Sequence, residues 1–104
     1  MKIFQSPPKS GKTTSLIQAC ATNHGLIVCE SHTKARKIWE RARRMGLNIA
    51  YPITFDEFLG GSFSHEHVTN LYIDDVDELL FQLAKGAYIA AITLTQKQSL
   101  EASL

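Results

Sequence analysis

Two short runs of this sequence carry side chains that could do chemistry. The first is Ser6-Pro7-Pro8-Lys9-Ser10-Gly11-Lys12-Thr13-Thr14, and the second is Leu71-Tyr72-Ile73-Asp74-Asp75. In the first, Gly11 has no Cβ, so its backbone can approach an anion in a conformation that other residues resist. The backbone N–H groups from Ser10 to Thr14 open a helix, where successive amides converge as an anion nest. The helix dipole adds roughly half a positive charge at that end. In the second run an apolar strand ends in two carboxylates. A strand buried on both faces tolerates an acid only where the acid meets a cation or leaves the sheet. A nest for anions and a carboxylate for a cation are complementary halves of one site.

The elements around these runs alternate. Residues 2–5 read as a short opening strand, and TTSLIQACA continues from the loop at helical period through Leu16, Ile17 and Cys20. Gly25 follows Asn23 and His24 as an expected left-handed helix stop. LIVC at 26–29 is a continuous apolar run, the signature of a strand buried on both faces. A helix is expected over about 32–45, with Ala35, Ile38, Trp39, Ala42 and Met45 within about 120° of arc. Residues 47–53 read as a weaker strand that Pro52 should end or push to an edge. Thr54 and Glu57 form a T-x-x-E capping box for a short helix. A strand at 68–74, a helix at 75–85 closed by Gly86, and a strand at 88–95 complete the series. The expectation is an α/β fold: a five-stranded, mostly parallel sheet with helices on both faces, a three-layer sandwich. Ligands on such sheets sit beyond the carboxyl ends of the strands. Residues 1–96 form the domain and 97–104 a tail, since 104 residues suit one domain.

The run from Ser6 to Thr14 resembles a Walker A loop, G-x-x-x-x-G-K-[ST], with Ser6 in place of the first glycine. The run ending in Asp74 and Asp75 resembles a Walker B element. Two strands between the motifs and one after them resemble the P-loop NTPase core shared by RecA-like and AAA+ proteins and by helicases of superfamilies 1 and 2. The resemblance implies ATP or GTP, with Mg²⁺, held by Lys9, Ser10, Gly11, Lys12, Thr13 and Thr14. It implies that Lys12 meets the β- and γ-phosphates, and that the Thr13 hydroxyl and Asp74 hold Mg²⁺. It also implies that Asp75 orients the attacking water and that Thr95, or its neighbours Thr93 and Gln96, senses the γ-phosphate. A Thr in a strand is also simply a good strand former. The family's lid domain and the arginine after the sensor strand have no counterpart here, so hydrolysis would be slow until a partner or a second copy supplies a charge. A non-hydrolysing module docked on a larger ATPase is an alternative, and a small nucleoside or nucleotide kinase a further one.

Charge is unevenly distributed although the net is +1. Residues 34–44 hold all four arginines and two lysines, while residues 54–80 hold seven acids and, apart from His65 and His67, no base. Lys34, Lys37, Arg41 and Arg44 recur as a line along one helix, a face for nucleic-acid phosphates or an acidic partner, or simply a solvated surface. Trp39 falls on the apolar arc and reads as core. Asp77 and Glu78 read as first-turn acids that suit a helix dipole. His65 and His67 lack a third ligand at metal spacing. Cys20 and Cys29 read as small buried hydrophobes. No apolar run reaches the ~18 residues of a membrane span, and the N-terminus does not read as a signal peptide. A cytoplasmic protein is expected, and the small lid-free format resembles that of phage-encoded proteins.

Overall fold

The computed structural model describes residues 11–61, 63, 70–85, 87–91 and 93. The expected first strand at 2–5, loop residues Lys9 and Ser10, His65, His67, Thr95 and the tail at 97–104 lie outside them. Four helices and three strands follow in order: α1 (Lys12–Asn23), β1 (Leu26–Cys29), α2 (His32–Arg44), β2 (Ile53–Thr54), α3 (Phe55–Leu59), β3 (Leu71–Ile73) and α4 (Val76–Leu83).

The strands form one parallel sheet in the order β2-β1-β3. β1 is central, and all four of its residues are buried. Its alternating side chains feed two cores. Ile27 and Cys29 pack with Leu16, Ile17 and Cys20 of α1 and Ala35, Ile38 and Ala42 of α2. Val28 packs with Phe55 of α3 and Leu79 of α4. Full burial of a side chain such as Ile17 or Phe55 is worth roughly 1.5–3 kcal/mol.

The expectation of five strands is corrected to three among the described residues. Residues 87–91 and 93 belong to no strand, and Tyr88 is 91% exposed. An apolar run suits a strand only where a neighbour offers a hydrogen-bonding ladder, and among the described residues none does so there. The strand expected at 47–53 is only Ile53–Thr54. It starts directly after Pro52, while Leu47 and Ile49 pack onto the α1–α2 core instead of entering the sheet. Of the strand expected at 68–74, Leu71–Ile73 form β3, and residues 68 and 69 lie outside the described residues.

Gly25 also acts otherwise than expected. The left-handed residue ending α1 is His24 (φ 53°), and the Gly25 N–H donates to the Cys20 carbonyl. Glycine is needed at 25 for space: a Cβ there would collide with the Tyr72 ring and come within 2.8 Å of the Asn70 carbonyl oxygen. The capping box at α3 is complete, with Glu57 N–H donating to Thr54 Oγ1 (3.2 Å) and Thr54 N–H to Glu57 Oε1 (2.9 Å).

Candidate functional site

α1 opens on Gly11, whose φ of 89° and ψ of 11° lie in the left-handed region. A non-glycine residue would be strained there, although among the described residues nothing beyond the chain neighbours lies within 4 Å of where its Cβ would be. The first helical bond back along α1 is Ser15 N–H to the Gly11 carbonyl at 3.0 Å. The amides of Lys12, Thr13 and Thr14 therefore have no helical carbonyl to donate to. Gly11 has no side chain to cap them, and the first turn of α1 contains no acid.

The carboxyl end of β3 turns back on this helix start. Thr13 Oγ1 donates to Asp74 Oδ1 at 3.4 Å across 61 residues of sequence. The other oxygen, Asp74 Oδ2, lies 3.8 Å from Lys34 Nζ. Asp74 is fixed through its own N–H, which donates to the Val28 carbonyl at 2.8 Å. Its side chain is only 11% exposed. Burial pushes the Asp74 carboxyl above its ordinary range, and neighbouring Asp75 adds to this; Lys34, the Thr13 hydroxyl and Lys12 pull the other way. A carboxylate so short of water is well placed to gain from a cation.

Asp75 faces a different task. It sits in the left-handed region (φ 61°), which aspartate tolerates better than most residues. Its Oδ1 accepts the Glu78 N–H at 3.3 Å, making it the cap of α4. Asp77 and Glu78 occupy the first turn of α4, as expected from the helix dipole.

Lys34 is the participant that its place in the sequence concealed. It was expected on the exposed basic line, yet it faces Asp74. Two facts could have revealed it. Parallel neighbours β1 and β3, in register at Val28 and Ile73, end on the same side of the sheet. The helix following β1 therefore starts beside Asp74. Ser31 caps that helix by accepting the Lys34 N–H at 3.2 Å.

Lys37, Arg41 and Arg44 remain exposed. Arg36 pairs with Glu40 at 3.4 Å on the same helix. Trp39 is half-buried rather than core, with the Arg43 guanidinium 4.6 Å from its ring centre and Tyr51 at 5.8 Å. Two open surface grooves lie elsewhere, one including Cys20, Gly25 and Ile49, the other including Arg36, Lys37 and Tyr51. Thr93 is exposed and outside any strand. Cys20 and Cys29 are buried, and Cys29 donates weakly to the Ser31 and Ile53 carbonyls. Burial pushes the Cys29 thiol up to about 11.

Among the described residues no cluster of three or more His, Cys, Asp or Glu converges. The donor set at the helix start is one hydroxyl and one carboxylate. That fits Mg²⁺, a hard cation that keeps several waters and takes other ligands from phosphates; it does not fit zinc. No helix among the described residues is long and apolar enough to cross a membrane. No family model, curated protein or solved structure matches the chain.

Proposed function

We propose that the protein binds a nucleoside triphosphate, ATP or GTP, with Mg²⁺, at the start of α1. The observation that carries this reading is the contact of Thr13 with Asp74. It joins a glycine-opened helix start to a strand-end carboxylate that is largely buried. The amides of Lys12, Thr13 and Thr14 would donate to phosphate oxygens, and the Lys12 ammonium would offset their charge. Thr13 and Asp74 would hold Mg²⁺, which neutralises further phosphate charge when bound.

Turnover is expected to be slow. Asp75 caps α4, and that use of its carboxylate competes with orienting a water. The four arginines all lie exposed on α2, so a charge-stabilising finger would come from a partner. The basic face of Lys37, Arg41 and Arg44 gives such a partner, a nucleic acid or a larger ATPase, a surface to meet. The cap role of Asp75 also favours a second reading, a module that holds nucleotide without hydrolysing it.

Thermal melting tests the binding. Millimolar MgATP or MgGTP should raise the melting temperature by ligand linkage, by about 2.7 kcal/mol of stability at a hundred times Kd. Lys12→Ala should remove the rise. A wild-type curve indifferent to both nucleotides ends the proposal. Steady-state hydrolysis with and without DNA or RNA then separates the ATPase from the module.

A further inference from the structure

The Asp74 carboxylate has two neighbours of opposite consequence. Thr13 offers a hydroxyl that can share a metal ion with it. Lys34 offers a positive charge, 3.8 Å from Oδ2, where a divalent cation would also seek an oxygen. An ammonium and a divalent ion repel at such range, and partial burial weakens the screening between them. Both cannot share this carboxylate at close contact.

Lys34 is mounted in a way that suits displacement. Its backbone N–H is pinned by the Ser31 cap, and the helix behind it is anchored by buried Ala35 and Ile38. Its side chain is 39% exposed, against 11% for Asp74. The pivot is fixed, while the ammonium at the end of a flexible stem can leave the carboxylate without unfolding anything.

We propose that Lys34 is a built-in competitor for the divalent cation. It neutralises Asp74 in the free protein and yields the carboxylate when Mg²⁺ arrives with the triphosphate, whose negative charge then receives the displaced ammonium. This inference rests on the nucleotide reading above and assigns that site a cation-selecting residue. Its consequence is that divalent ions alone bind weakly and that nucleotide and metal bind with positive cooperativity.

Mn²⁺, followed by its paramagnetic resonance signal, tests this without relying on activity. Lys34→Met, which keeps the stem and removes the charge, should tighten Mn²⁺ binding in the absence of nucleotide by about tenfold. Lys34→Arg should leave it near the wild-type value, and Asp74→Asn should abolish the difference. The gain in Mn²⁺ affinity on adding ATP should be smaller in Lys34→Met than in wild type. Circular dichroism melting checks that each variant is folded. Equal Mn²⁺ affinity in wild type and Lys34→Met, with MgATP still raising the wild-type melting temperature, overturns the Lys34 proposal alone. Absence of both Mn²⁺ binding and nucleotide-dependent melting in every folded variant overturns the nucleotide reading and this inference together.

Discussion

The starts of α1 and α3 solve the same problem in opposite ways. Any helix begins with amides that lack helical partners. At α3, Thr54 and Glu57 supply those partners from their own side chains, and Asp56 and Glu57 add negative charge where the dipole is positive. Ser31 and Asp75 make comparable single caps for α2 and α4. At α1 the cap residue is glycine, no acid occupies the first turn, and the first residue is Lys12, whose charge has the same sign as the helix end. An unfavourable charge at a helix terminus costs about 0.3–1 kcal/mol. Among the described residues three helix starts carry their own side-chain caps, and the fourth has none beside a largely buried carboxylate. A helix start that stabilises itself has little to offer a ligand; one that does not can take its stabilisation from a bound anion.

The largest expected effect comes from Gly11→Ala. Its methyl meets no neighbour among the described residues, so the cost is that of forcing alanine into the left-handed region, about 1–2 kcal/mol. Chemical denaturation should show that loss, and the melting shift with MgATP should vanish. A variant with full nucleotide response would mean that the left-handed turn does not shape the site.

Removing a finished cap should separate stability from binding. Thr54→Ala should cost about 1 kcal/mol and leave the MgATP shift intact. The same box carries a pH signature. The Thr54 backbone hydrogen bond lowers the Glu57 carboxyl below its ordinary 4.5. The folded state therefore sheds this proton at lower pH than the unfolded chain does. The box's contribution is present above pH 4.5 and is lost as pH falls through the lower folded value. Denaturation midpoints of wild type and Glu57→Gln should converge on acidification; parallel curves would remove Glu57 from the account.

Asp74 carries the opposite sign and the smallest stability effect. Burial raises its carboxyl above the ordinary 3.8, so the folded state holds this proton more tightly than the unfolded chain. Its stability contribution is present below pH 3.8 and declines as pH rises through the folded value. Asp74→Asn, neutral and of similar shape, should therefore raise the free protein's stability at neutral pH by something under about 1 kcal/mol. It should also abolish the magnesium-dependent part of nucleotide stabilisation. A destabilised Asp74→Asn would mean that the pairing with Lys34 outweighs the burial penalty.

Local chemistry was the legible part of this fold. The LIVC strand, the Thr54–Glu57 box and the 32–44 helix follow from runs whose period, cap and burial agree. The approach of Thr13 to Asp74 was also foreseeable from the resemblance, which sets the start of α1 beside the carboxyl ends of the strands. Less legible were features set by distant neighbours. Residues 47–52 have strand-like composition, but Leu47 and Ile49 are more useful against α1 and α2. Gly25 has the position of a helix stop but serves as a gap for Tyr72. Lys34 has the spacing of a surface line, but the packing of β1 beside β3 sets it against Asp74.

The two thiols make the sheet its own clock. Cys20 and Cys29 are buried in the core of α1, α2 and the central strand, and Cys29 resists forming the thiolate that alkylating reagents need. Such a reagent can reach Cys29 only in molecules whose helices have lifted from the strand, so its labelling rate counts openings of that layer. An occupant that clamps α1 to the end of β3 would slow the count, whether or not it is ever chemically changed.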